Sequence, residues 1–275
     1  MHFFVIMVPE SKRIAMPVSR TLITGASVGI GAELARQFAA GGSDLVLVAR
    51  RLEKLGELAC ELRGKYGVKV ATAQVDLTDR EARQKLFEQF SSSETAIDVL
   101  VNNAGFGVHG KVADIDVQRQ LDLVEVNVAA LTHLSRLFLP GMIVRQSGGI
   151  LNVASTAAFQ AGPGMAAYYA SKAYVLSFSE ALIDELAGTG VRVSCLCPGP
   201  TTTEFEATAG LEKSKLFKFS PMTAREVAET GYRSFRKGKF LIVPGVMNQI
   251  STAGACMVPR FVSRKVANWL NNSGE

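Results

Sequence analysis

The stretch "YYASK" sets Tyr168 and Lys172 four residues apart. On a helix that spacing puts both side chains on one face. A free phenol titrates near ~10, too high for ready proton transfer at neutral pH. A neighbouring ammonium favours the phenolate and lowers that value. The pair is therefore a candidate tuned proton donor, although Tyr and Lys at this spacing also occur on many solvated helix surfaces. Ser155 ends the run "NVAS", where its hydroxyl suits a carbonyl oxygen held beside the tyrosine. Asn127 lies in the helix-period stretch "VEVNVAAL", and an amide is a modest helix former. Either it opens the helix ladder and positions a water, or it is a satisfied buried amide.

A second constellation is "TGASVGIG", residues 24–31. Gly25 permits a tight turn and Gly29 a close backbone approach to a ligand, while Gly31 lets the next helix pack on the strand. The N-terminus of that helix offers N–H groups and the positive end of a dipole, which suit a pyrophosphate. The spacing is G-x-x-x-G-x-G rather than G-x-G-x-x-G, and alone it also fits a plain structural turn. Dinucleotide sites often place an acid on the adenosine ribose about 20 residues further on. Here the strand "LVLVA" runs into Arg50 and Arg51. An arginine pairs with a 2′-phosphate that an acid would repel. The expected cofactor is therefore NADP(H), the alternative being two solvated charges that open a helix.

These residues need a frame, and the chain alternates short apolar runs with helix-period segments. The runs are 20–25, 44–49, 68–75, 97–103, 148–155, 191–197 and 239–244; the helices fall near 30–40, 52–63, 80–90, 114–145, 168–187 and 224–236. Nearly continuous apolar strands indicate a parallel sheet covered on both faces. The connections have the length of βαβ crossovers. The expected architecture is α/β: one Rossmann-type domain whose doubly wound, seven-stranded parallel sheet carries helices on both faces. Its topological crevice lies at the carboxyl ends of the strands, beside the glycine turn.

The 275 residues, 48% of them apolar, can bury a sizeable core in one domain. The net charge of +5 is spread along the chain. No dense basic block with interleaved aromatics is present, so nucleic acid is not an expected partner. No apolar run reaches membrane-spanning length. Four cysteines without C-x-x-C spacing suit a reducing cytoplasm; Cys195 and Cys197, on one face of "VRVSCLC", are expected as small buried strand residues. His2, His109 and His133 lack ligand spacing, and no metal is expected. Residues 1–18 are expected to be an N-terminal extension, disordered or packed on the surface, ahead of a domain over 19–275. A loop over about 200–223 carries Phe205, Leu211, Leu216, Phe217 and Phe219 and suggests an apolar substrate pocket. The segment over about 246–272 places Val258, Phe261, Val262, Val266, Trp269 and Leu270 along a helical stripe. That stripe is expected to cover the pocket or a subunit contact, with a peripheral membrane surface as the alternative.

"TGASVGIG", "DL" at 76–77, "NNAG" at 102–105, Asn127, Ser155, "YYASK" and "PGPTTT" at 198–203 occur in one order over residues 19 to about 205. In this the chain resembles the short-chain dehydrogenase/reductase family. The resemblance implies a cytoplasmic, homodimeric or homotetrameric oxidoreductase that reduces a ketone or aldehyde with NADPH. It implies Tyr168 as acid/base and Lys172 as the group that lowers its pKa and binds the nicotinamide ribose. Ser155 would polarise the carbonyl, and Asn127 would hold a water linking Lys172 to solvent. Gly25, Ser27, Gly29, Ile30 and Gly31 would face the pyrophosphate, and Asp76 and Leu77 the adenine. Asn103, Ala104 and Gly105 would approach the adenosine ribose, and Pro198, Gly199 and Thr201 the nicotinamide. Two further readings are an alcohol dehydrogenase working mainly in oxidation and an NADP(H)-binding regulator without chemistry. Arg50 and Arg51 argue against the first, and the complete set of Asn127, Ser155, Tyr168 and Lys172 against the second.

Overall fold

The computed structural model describes residues 19–205, 209–210 and 221–271. The expected extension over 1–18 and the loop residues Leu211, Leu216, Phe217 and Phe219 lie outside them. Seven parallel strands form one sheet: β1 Arg20–Thr24, β2 Asp44–Ala49, β3 Val70–Gln74, β4 Val99–Asn102, β5 Gly148–Val153, β6 Val191–Leu196 and β9 Leu241–Ile242. Their order is β3-β2-β1-β4-β5-β6-β9. Since β1 pairs with both β2 and β4, the winding reverses there and opens a crevice at the carboxyl edge.

The strands are apolar throughout because both faces are covered. Successive residues feed opposite layers. Ile23, Leu45 and Leu47 join one core with Phe38 of α1 (Gly29–Ala40), Leu55 and Leu62 of α2 (Leu52–Tyr66), and Phe235 of α7 (Ala224–Arg236). Leu22, Val46 and Val48 join the other with Leu86 of α3 (Arg80–Gln89), Phe138 of α5 (Leu131–Val144) and Leu182 of α6 (Ala166–Glu185).

Several boundaries follow from local chemistry. Asp79 accepts from the N–H groups of Glu81 and Ala82 and starts α3. Thr223 and Glu226 form a reciprocal capping box at α7. Gly67, at φ +68°, ends α2 three residues beyond the expected stop. The helix expected over 114–145 is divided: α4 (Val117–Val124) runs through a π turn, Glu125–Ala130, into α5. Val117–Val144, 28 residues that include an 18-residue window of mean hydropathy 1.2, has the length and composition of a membrane span, a feature the expectation of no spanning run overlooks. Its residues Leu123, Leu131, Leu134, Phe138 and Met142 are buried inside the protein. Within the expected substrate loop, β7 (Thr201–Thr202) pairs with β8 (Met222–Thr223) in a second small parallel ladder. The C-terminal segment divides around Pro259 into α8 (Val246–Met257) and α9 (Arg260–Asn271).

Candidate active site

At the carboxyl edge of the sheet lies a cleft of about 550 Å³. Ser155 follows β5, while Tyr168 and Lys172 project from the first turns of α6 on one face; all three border the cleft. The Ser155 hydroxyl accepts the N–H of Ala157 at 3.1 Å and hydrogen-bonds the Tyr168 phenol. The Lys172 ammonium donates to the Val153 carbonyl at 2.9 Å and stands 5.8 Å from the Tyr168 ring centroid.

The electrostatics of the pair are dominated by burial. Burial pushes the Tyr168 phenol far above its ordinary value, and the Ser155 hydrogen bond offsets this only in part. Burial also draws the Lys172 ammonium down to about 8. Desolvation disfavours the charged form of both groups. Tyr169, the neighbour off the catalytic step, is also buried, and its hydroxyl donates to Asn271 Oδ1 at 3.0 Å.

Asn127 sits in the π turn and stands behind the cleft. Its Oδ1 accepts the Phe106 N–H at 3.1 Å, and its Nδ2 donates to the Phe106 carbonyl and to Ser171 Oγ, each at 3.0 Å. It is thus both the amide at an opened ladder and a satisfied buried amide. A Cβ on Gly105 would stand 3.0 Å from Asn127 Oδ1 and 3.3 Å from Lys172 Nζ. The two polar atoms therefore face one gap that glycine leaves open.

The glycine turn is braced from β4. Asn103 Nδ2 donates to the carbonyls of Thr24 and Gly25 at 2.9 and 3.3 Å, and Thr24 Oγ1 accepts the N–H groups of Asn103 and Ala104, both at 3.0 Å. Gly25 has φ +65°, and a Cβ on Gly31 would lie 2.3 Å from the Gly25 carbonyl oxygen. The N-cap of α1 is Val28, which supplies no side-chain acceptor, so the N–H groups that open this helix face the cleft beside Ser27, Gly29 and Ile30. Arg50 and Arg51 border the same end. Arg51 Nη2 donates to Ser27 Oγ at 3.2 Å, and Nη1 pairs with Glu204 at 2.8 Å. The Glu204 carboxylate thus takes one nitrogen of the Arg51 guanidinium fork. The bare helix end, the glycine approach and this fork fit a phosphorylated dinucleotide.

Asp76 and Leu77 line the cleft after β3. The Asp76 carboxylate accepts from the Thr78 N–H and hydroxyl, which hold its pKa below the usual range. Ala104 and Gly105 line its floor, and Pro198, Gly199 and Thr201 its far wall. Gly199 also admits α8: a Cβ there would meet Asn248 Oδ1 at 2.3 Å.

Sequence reasoning missed several residues. Thr24, Phe106 and Ser171 position expected site groups. A buried chain joins Asn102 to Asn152 at 2.9 Å and Asn152 to Ser179 at 2.9 Å, bracing the strands that carry Asn103 and Ser155; the "NN" of 102–103 is its only sequence trace. Met165, Tyr169 and Phe205 wall the apolar side. The C-terminal stripe does not line the cleft, and its exposure is what a subunit contact or a membrane surface requires. Val258, Phe261, Val266 and Trp269 are exposed, and α9 instead packs through Ser263, Ala267 and Asn271. Small residues allow the close approach, and Asn271 Nδ2 donates to the Pro163 carbonyl at 2.9 Å. Cys195 and Cys197 are buried with sulfurs 3.8 Å apart. Among the described residues no cluster of His, Cys, Asp or Glu is arranged to hold a metal ion.

A parallel sheet with its winding reversed beside a glycine turn, and a Ser, Tyr and Lys at its carboxyl edge, define a dinucleotide-dependent oxidoreductase. The family model for short chain dehydrogenases matches residues 19–214, and the chain belongs to that family. It is 37% identical over 215 residues to sulfoacetaldehyde reductase 2 of Chromohalobacter salexigens, covering 76% of this chain and 84% of the relative. A short-chain dehydrogenase of Sphingobium yanoikuyae, solved in complex with NADPH, superposes with a TM-score of 0.79 at 32% identity, covering 86% of this chain and 93% of that one. The bulky-bulky ketone specific alcohol dehydrogenase of Comamonas testosteroni superposes at 0.73 with 28% identity, over 88% and 95% of the two chains. The chain is thus an oxidoreductase of the class that interconverts alcohols and carbonyls and takes a nicotinamide cofactor.

Proposed function

We propose that the protein reduces a ketone or aldehyde bearing apolar groups, using NADPH. The observation that carries the reading is one cleft bordered by Arg50 and Arg51 at one end and by Ser155, Tyr168 and Lys172 at the other. The NADPH of the S. yanoikuyae structure and the reductase among the relatives support it. When bound, the cofactor supplies the hydride.

The chain's own residues bind, orient and move the proton. The N–H groups opening α1, with Gly25, Ser27, Gly29, Ile30 and Gly31 around them, hold the pyrophosphate. Arg50 and Arg51 hold the 2′-phosphate. Asp76 and Leu77 flank the adenine, Asn103, Ala104 and Gly105 approach the ribose, and Pro198, Gly199 and Thr201 border the nicotinamide. Ser155 donates to the substrate oxygen and orients it toward Tyr168. Tyr168, kept protonated by burial, is in the form that delivers a proton to the developing alkoxide. Lys172 binds the nicotinamide ribose and stabilises the phenolate left behind. A water in the gap beside Gly105 would link it to Asn127 Oδ1 and return the proton. Met165, Tyr169 and Phe205 select apolar substituents.

The same reading takes the protein as cytoplasmic, where the exposed thiols of Cys60 and Cys256 stay reduced. It takes it also as a homodimer or homotetramer, for which the exposed stripe of Val117, Leu121 and Val124 supplies a face.

The test is NADPH consumption over a panel of ketones, aldehydes and 3-oxoacyl thioesters. Tyr168→Phe is expected to lose about 10²–10⁴ in kcat while still binding NADPH. Full activity in Tyr168→Phe refutes the assignment, and wild-type binding without turnover on any carbonyl refutes the reductase reading.

A further inference from the structure

Three consecutive residues after β7 cross the cleft. Thr203 lies against the glycine turn, its Cγ2 3.2 Å from where a Cβ on Gly29 would stand. The Glu204 carboxylate bridges Arg51 at 2.8 Å and Lys54 at 3.0 Å. The Phe205 ring centroid is 5.3 Å from that of Tyr168. One tripeptide therefore touches the phosphate end, the glycine turn and the proton donor.

We propose that Glu204 holds the seat of the cofactor's 2′-phosphate in the cofactor-free protein, and that Glu204, on yielding Arg51 and Lys54 to that phosphate, carries Phe205 away from Tyr168. The inference rests on the NADP(H) reading above. A carboxylate and a phosphate dianion cannot share one guanidinium fork, because like charges at contact repel strongly. The phosphate brings more charge and more acceptor oxygens, and it wins the fork. A dinucleotide with a 2′-hydroxyl leaves the ion pairs intact; the hydroxyl donates to Glu204 instead, as it does to the acid of NAD sites. Glu204 thus lowers the preference for NADP(H) that Arg51 and Lys54 would give alone. It also makes clearance of the Tyr168 ring conditional on the phosphorylated cofactor. Adjacency in the chain is the coupling: a displacement of the backbone at residue 204 moves residue 205 with it, and the Phe205 reporter below tells this from rotation of the Glu204 side chain alone.

The experiment uses the full chain and two fragments that do not extend to the nicotinamide, adenosine 2′,5′-bisphosphate and ADP. Calorimetric affinities are compared for wild type, Glu204→Gln and Arg51→Gln. Two half-exposed ion pairs are together worth a factor of about 2–10, so Glu204→Gln is expected to bind the bisphosphate that much more tightly, with ADP bound no more tightly than by wild type. A Phe205→Trp reporter in a Trp269→Phe background follows the other end. Its emission is expected to shift on adding the bisphosphate but not ADP, and to be already shifted in Glu204→Gln without ligand. Unchanged or weaker bisphosphate binding in Glu204→Gln, or a silent reporter, overturns the proposal while leaving the NADP(H) reading in place. Wild type that binds the bisphosphate no better than ADP, with Arg51→Gln the same, overturns that reading and the proposal with it.

Discussion

Asn271, in the last turn of α9, is 1% exposed and makes two hydrogen bonds, from Tyr169 Oη at 3.0 Å and to the Pro163 carbonyl at 2.9 Å. The two partners lie on either side of Tyr168 in the chain. Asn271→Ala removes both bonds and leaves a buried phenol and a part-buried carbonyl without these partners. At about 1–3 kcal/mol for each unsatisfied group, with some recovery by water, the expected loss of stability is about 2–4 kcal/mol. Tyr169→Phe removes one bond and is expected to cost about 1–2 kcal/mol. In the double variant the Tyr169–Asn271 interaction is lost once rather than twice, so the cycle closes with a coupling of about 1 kcal/mol. Urea unfolding of the four proteins measures it. Activity gives a second readout: KM for an apolar carbonyl rises several-fold in Asn271→Ala, with kcat changed less, because Tyr169 walls the cleft while Tyr168 keeps Ser155. A coupling below about 0.3 kcal/mol, or Asn271→Ala as stable as wild type, refutes the docking of α9 on the active-site wall.

Two further outcomes follow from the site. Lys172 is drawn down to about 8 in the fold, whereas an unfolded lysine titrates near ~10.4. Between these values the unfolded chain binds more protons, so stability rises with pH across that window, and Lys172→Met is expected to remove about 2 kcal/mol of the rise between pH 8 and 10; parallel curves in the cofactor-free proteins would contradict this. A Cβ at residue 31 meets the Gly25 carbonyl oxygen at 2.3 Å and Asn103 Nδ2 at 2.5 Å, so Gly31→Ala is expected to cost about 1–3 kcal/mol and at least tenfold in NADPH affinity. Wild-type affinity in that variant, by fluorescence titration, would show that the turn does not hold the cofactor.

The sheet was legible because strands buried on both faces carry nearly unbroken apolar runs, and the glycine turn because its residues have few other uses. The site residues were legible as types at fixed spacing, and all of them but Asn127 line one cleft. What was not legible depends on distance or on small side chains. The ion pair of Arg51 with Glu204 joins residues 153 apart, and no local pattern announces it. The ladder of β7 and β8 is two residues long, below any periodicity. The packed side of α9 was not legible because large apolar residues mark a buried face only when a partner covers them; Ser263, Ala267 and Asn271 could approach closely and took the packed side. The burial of Tyr168 was not legible, because spacing reveals the neighbouring charge but not the desolvation.

The π turn at Glu125–Ala130 also changes how its helix is phased. Val117, Leu121, Val124, Leu131, Phe138 and Met142 fall close to one 3.6-residue phase, a single stripe on an uninterrupted helix. Yet the first three are exposed and the last three buried. One additional residue in a turn shifts the phase by about 100°, which moves the downstream half of the stripe onto the sheet and leaves the upstream half facing out. The same few residues that seat Asn127 thus act as a rotational offset between a surface and a core. Winding residues 125–130 as a regular α-helix would put the two halves back in phase and turn Leu131, Phe138 and Met142 out of the sheet core, whereas deleting a single residue there removes the extra residue of the turn and leaves both halves facing as they do now.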